Sequence, residues 1–202
     1  MIATLSLFKR TSLAIALIGT LQFIISHNNN AQAQFQLSFG GNYVYCFGER
    51  IIPLQGDIYH LDHTQGFEVL VRNTYHFPET KFDAHLNAGF RYLTFAGRSE
   101  NTQYNGALNK VFASGGVGYS LLDNINLNAY IEAENNVEFN QFFIGSGDLF
   151  RVNLAAEVAY SFHERFYATV LVSRAMTPIT NAYIFTNPQY QFRVGLNFRL
   201  IR

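Results

Sequence analysis

The chain has 202 residues, with 14 basic and 14 acidic side chains, six histidines and one cysteine. That balance leaves no concentrated positive face for a phosphate backbone, which excludes nucleic acid as a partner. The lone cysteine, Cys46, excludes an intramolecular disulfide framework. Phenylalanine (20) and tyrosine (12) are abundant, tryptophan is absent and proline is scarce at 4, a composition suited to a single all-β domain.

The chain begins with Lys9 and Arg10 ahead of an apolar run from Leu13 to Ile25, then polar Ser26 to Asn30 and Ala31-Gln32-Ala33. A basic segment, a short apolar core and an Ala-x-Ala site make a secretory signal peptide. The apolar core falls short of the roughly 20 residues of a transmembrane helix. Cleavage is expected after Ala33, so that residues 1–33 are removed and 34–202 form one domain. Loss of Lys9 and Arg10 leaves the acids in excess by two.

From Phe35 onward the chain alternates apolar and polar residues, the period of a strand with one greasy face and one wet face. Phe35 to Phe47 places Phe39, Tyr43 and Tyr45 on the greasy face, with Ser38, Asn42, Val44 and Cys46 opposite. Phe67 to Phe77 turns Val69 and Val71 outward, and Glu68, Arg72, Thr74 and His76 inward. Phe82 to Phe95 turns Leu86 and Phe90 outward, and Asp83, His85, Asn87 and Arg91 inward. Lys110 to Leu121 is weaker, with Val117 and Tyr119 outward and Ser114, Gly116 and Gly118 inward. Asn124 to Glu138 turns Leu127 and Ile131 outward, and Asn128, Tyr130, Glu132 and Glu134 inward. Phe150 to Phe162 turns Leu154 and Val158 outward, and Arg151, Asn153 and Glu157 inward. Arg165 to Ser173 turns Phe166, Val170 and Val172 outward. Gln189 to Arg202 shows the pattern best, with Tyr190, Phe192, Val194, Leu196, Phe198 and Leu200 on one face and Gln191, Arg193, Asn197 and Arg199 on the other.

The connections between these eight segments alternate in length. Those at Pro78–Lys81, Asp123 and His163–Glu164 are tight, while Gly48–Gly66, Ala96–Asn109, Phe139–Leu149 and Arg174–Pro188 are long. Aromatics gather at both ends of the greasy faces, with aliphatics between. Short turns on one side, long loops on the other and two aromatic girdles predict an all-β, eight-stranded antiparallel up-and-down transmembrane β-barrel in the outer membrane of a diderm bacterium. On this pattern the chain resembles the small eight-stranded outer-membrane barrels of OmpA/OmpX-like architecture, over Phe35 to Arg202. Such chains usually end on an aromatic that the assembly machinery reads; here Phe198 is followed by Arg-Leu-Ile-Arg. A soluble lipocalin-like barrel would need the opposite orientation, because its apolar residues must face inward in water.

Eight strands enclose just enough room for side chains, so the inward charges must pair. Glu68, Arg72, Arg91, Glu132, Glu134, Glu157 and Arg193 form the expected interior charge network, with Asp83, Arg151 and Arg199 also inward. A polar plug is favoured over a gated ion path. Lipid A deacylases and acyltransferases also occur on such barrels, but His76, His85, His163 and Ser161 do not assemble a nucleophile–base set in the sequence pattern, so no enzyme and no cofactor are expected. Asp57, His60, Asp62 and His63 in the first long loop are weak metal-ligand candidates, since sequence spacing fixes no geometry in a loop. Ile179, Tyr183, Ile184 and Phe185 in the last loop form an apolar cluster that fits an interaction surface. The expected partners are outer-membrane lipid, the assembly machinery and an extracellular ligand that the sequence does not name; the barrel is expected to be a monomer.

Overall fold

The computed structural model describes residues 35–47, 51–54, 57–98, 103–138, 150–176 and 190–201. The expected signal peptide and Ile179, Tyr183, Ile184 and Phe185 lie outside the described residues. Every regular element among those described is a strand: β1 (Phe35–Phe47), β2 (Ile51–Leu54), β3 (Asp57–His76), β4 (Phe82–Arg98), β5 (Gln103–Leu122), β6 (Ile125–Glu138), β7 (Phe150–Ser161), β8 (Phe166–Ala175) and β9 (Tyr190–Ile201). All neighbours pair antiparallel in chain order, and β1 pairs with both β3 and β9, which closes the sheet. β2 adds no ninth stave. β1 pairs with β3 as far as Cys46↔Thr64, and β2 resumes the same line at Ile51↔His60. The wall is therefore an eight-stranded antiparallel barrel.

Closure fixes the tilt. Successive Cα partners lead from Phe35 through Tyr75, Ala84, Val117, Ala129, Ala156, Val172 and Phe192 back to β1 at Tyr45, ten residues beyond the start. Ten residues at about 3.3 Å against eight strands about 4.8 Å apart give a tilt of about 40°. All nine residues of that path face outward, so one row of the barrel is apolar throughout.

The tight connections hold the end where β1 begins and β9 ends. Phe77 N–H donates to Phe82 O at 3.1 Å, and Thr80 N–H to Phe77 O at 3.3 Å. Pro78 and Glu79 fill the two central turn positions, and Glu79 has φ 58°. This is the left-handed conformation that a type II turn requires at its third residue, where glycine is the usual occupant. At the third tight turn, His163 and Phe166 exchange both backbone hydrogen bonds, at 3.3 and 3.2 Å.

The opposite end differs from the sequence expectation. The described parts of Gly48–Gly66 and Ala96–Asn109 are strand rather than irregular loop. β3 begins at Asp57, β4 runs on to Arg98 and β5 begins at Gln103, so the β3–β4–β5 ladder continues past the outer aromatics. The physical reason is that lipid enforces alternation only along the embedded part of a strand. Beyond the bilayer both faces meet water, the pattern fades and the backbone ladder persists. Asp57, His60, Asp62 and His63 accordingly sit on strand β3 rather than in a loop; their side chains lie outside the described residues.

Candidate functional site

The outward face is a lipid-bearing surface. Leu196 is 61% exposed, Ile131 64% and Val117 60%, and Val158, Val170 and Val194 lie open beside them. In water, an apolar surface that wraps a whole barrel would drive aggregation. Aromatic pairs bound the aliphatic zone. At the tight-turn end, Phe35 contacts Tyr75 (centroids 4.8 Å), Phe82 contacts Tyr119 (5.3 Å) and Phe166 contacts Phe198 (5.1 Å). At the other end, Phe67 contacts Tyr92 and Phe47 stacks on Tyr190, both at 5.5 Å. On β9, Phe198 lies eight positions beyond Tyr190, which at this tilt places the girdles about 20 Å apart, near the ~25 Å apolar band of membrane barrels.

The inward face carries the charges, and the closed register brings them together. Arg91 on β4, 0% exposed, occupies the centre of the outer half. Its Nε donates to Glu68 Oε2 at 2.8 Å, its Nη1 to Glu134 Oε2 at 2.5 Å, and its Nη2 to Glu68 at 2.5 Å and to both oxygens of Glu132 at 3.2 Å. Its guanidinium lies over the Phe112 ring at 4.8 Å. Each carboxylate has further donors. Arg193 grips Glu132 with two bonds of 2.7 Å, Lys110 Nζ reaches Glu134 Oε1 at 2.7 Å, and Asn42 Nδ2 reaches Glu68 Oε1 at 2.6 Å. Three acids thus face three bases, which is the condition for holding charge out of water.

A second cluster lies nearer the tight turns. Arg72 meets Glu157 with two bonds, at 2.8 and 2.7 Å, and its Nε donates to Asn87 at 3.0 Å. Asn128 and Tyr130 donate to Glu157 Oε1 at 2.7 and 3.0 Å. The rings of Tyr130 and Tyr167 flank the Arg72 guanidinium at 5.5 and 5.9 Å. Between the clusters, Leu70, Phe112, Ala155 and Leu171 contribute apolar side chains to the lining of a cavity of about 10 Å³, room for roughly one water.

All seven residues of the expected network, Glu68, Arg72, Arg91, Glu132, Glu134, Glu157 and Arg193, are buried in these two clusters. Arg151 is buried and is the Cα partner of Glu134. Asp83 meets His76 at 2.6 Å near the tight-turn rim, and Arg199 donates to Ser161 Oγ at 2.5 Å and to Glu164 O at 2.9 Å. Lys110 joins the network without being expected there. Counting back by two from inward Ser114 through Phe112 reaches Lys110, but the apolar Phe112 breaks the polar face and hides the signal.

Among the described residues, His85 and His163 hold local structure. The His85 ring lies 3.0 Å from Thr74 Oγ1 and 3.2 Å from Asn128 Oδ1, and these three side chains are buried. His163 Nδ1 accepts the Arg165 N–H at 3.1 Å inside its turn.

A closed antiparallel barrel with an apolar exterior, two aromatic girdles and a polar interior is an integral outer-membrane β-barrel, since only closed barrels or helices satisfy their backbone in lipid. The barrel's own surfaces carry that assignment. No protein-family model matches the chain, and no curated protein does. Among solved structures it is similar to OprG from Pseudomonas aeruginosa (10% identity, 84% of this chain and 97% of that one, TM-score 0.49). It is also similar to the Yersinia pestis outer membrane protein Ail (12%, 82% and 99%, TM-score 0.47) and to a de novo designed transmembrane β-barrel (13%, 82% and 95%, TM-score 0.45).

Proposed function

We propose that the protein is a plugged, monomeric outer-membrane scaffold whose contacts with ligands or surfaces are made at its long-connection end, rather than a channel or an enzyme. The observation that carries this reading is the interior itself. Arg91 is bound by three carboxylates, and the layer beneath it includes Leu70, Phe112, Ala155 and Leu171 around a cavity of about 10 Å³. An ion crossing the barrel would have to break paired charges and pass that layer. Closure supports the monomer, because the barrel wall leaves no unpaired edge within the membrane. The strands β3, β4 and β5 run past the outer girdle, which extends a rigid platform away from the membrane on that side. Loops on a rigid scaffold are where binding residues usually sit.

Planar-bilayer recording tests the plug. The refolded chain should give no stable steps of porin size, and large sustained steps would refute it. The surface role is tested by replacing residues 177–188 with a Gly-Asn turn. Unchanged adhesion, ligand capture and envelope integrity with a folded barrel would remove that connection from the function.

A further inference from the structure

At the height of the outer girdle, among the residues whose side chains are described, Arg174 is the one charged group on the outward face. It sits near the end of β8 as Cα partner of Leu154 on one side and Tyr190 on the other. Its guanidinium lies 5.6 Å from the centroid of the Tyr190 ring, and Tyr190 is stacked on Phe47. That places the charge at the height of the outer girdle, where the hydrocarbon gives way to headgroups. Among the residues whose side chains are described no carboxylate pairs with it; the acids at this level, Glu68, Glu132 and Glu134, all point into the barrel and are bound there.

A guanidinium at this depth meets one abundant anion, the phosphate of a lipid headgroup. Packing against Tyr190 fixes the plane of the fork, and a planar fork binds a phosphate through two parallel bonds. The neighbouring surface fits the rest of a lipid. On the side of the tight turns, Val172 and Val170 on β8 and Leu154 on β7 stand exposed below Arg174. These aliphatic side chains give an acyl chain a hydrocarbon-depth wall directly below the Arg174 guanidinium.

We propose that Arg174, oriented by Tyr190, is the headgroup-phosphate site for one outer-leaflet lipid whose chains lie down the aliphatic wall of Leu154, Val172 and Val170. The site takes a phosphate monoester of a glycolipid or the phosphodiester of a phospholipid, and it faces the outer leaflet because it lies at the end away from the tight turns. Lipid retention by the folded chain in neutral detergent, read by native mass spectrometry, tests it with lipid A and with phosphatidylglycerol as separate probes. The unaltered protein retains one lipid. Arg174→Gln lowers the retained fraction about tenfold, the effect of losing one charge-assisted pair. Arg174→Lys keeps an intermediate fraction, because a point charge replaces the fork. Lys81→Gln, at the opposite rim, retains as much as the unaltered chain. Preference for lipid A assigns the site to a glycolipid monoester, and preference for phosphatidylglycerol to a phospholipid. Arg174 lies outside the interior network, so the variants fold; heat-dependent electrophoretic mobility verifies this. Equal retention by Arg174→Gln and the unaltered chain overturns the site. Lipid retention is read independently of conductance, so this site and the plug can fail separately.

Discussion

Replacing Arg91 with methionine probes the most heavily bonded side chain in the barrel. The substitution preserves bulk and removes the charge. The structure indicates which carboxylates would suffer. Glu132 keeps the two 2.7 Å bonds from Arg193, and Glu134 keeps Lys110 at 2.7 Å. Glu68 loses both of its close Arg91 bonds and keeps only Asn42 at 2.6 Å and Arg193 at 3.4 Å. One buried carboxylate is therefore stranded, not three. Stranding one member of a buried pair costs about 3–5 kcal/mol, and three stranded carboxylates would exceed the whole stability of an ordinary domain. Arg91→Met should accordingly fold and lose about 3–5 kcal/mol in urea titrations of the chain in lipid vesicles. The double change Arg91→Met with Glu68→Gln should recover about 2 kcal/mol, because a neutral amide is far less costly to bury than an unpaired charge. A loss below about 1 kcal/mol for Arg91→Met, or no recovery in the double variant, would refute the tightly coupled plug.

Three further changes test other parts of the fold. Leu196→Arg puts a charge on the lipid face between the girdles and should cost about 2–4 kcal/mol in the same titration; a cost equal to that of a change beyond the outer girdle would contradict the assigned orientation. Glu79→Gly should stabilise the first tight turn by up to about 1 kcal/mol, since glycine accepts φ 58° without strain; a lower unfolding midpoint would count against the turn geometry. Gly89→Ala should cost about 1–3 kcal/mol, because its added Cβ would lie 2.3 Å from the Val69 carbonyl oxygen and 2.7 Å from the Phe112 ring. Wild-type stability in that variant would mean that β3, β4 and Phe112 are less closely packed than described.

Alternation along the chain assigns the embedded wall residues to their faces. Side chains alternate along a strand, and lipid outside penalises a charge turned outward. Val69, Leu86, Val158 and Leu196 therefore read outward, and Glu68, Arg72, Glu132 and Arg193 inward, from the order of residues alone. Alternation acts only where lipid does, so the order of residues does not reveal β3 between Asp57 and Gly66, nor the continuation of β4 and β5 past the outer girdle. Lys110 escapes it too, because a single inward phenylalanine interrupts the polar face. Partnership within the barrel is a tertiary property. Glu68 and Arg91 are Cα partners on adjacent strands, a contact that local pairing could suggest. Arg72 reaches Glu157 from β3 to β7, and Arg193 reaches Glu132 from β9 to β6, across the lumen. Those pairs form only when the sheet closes with a ten-residue stagger, which sets the height at which each inward side chain meets the opposite wall. Alternation fixes a direction for each residue, whereas closure and stagger are properties of all eight strands together.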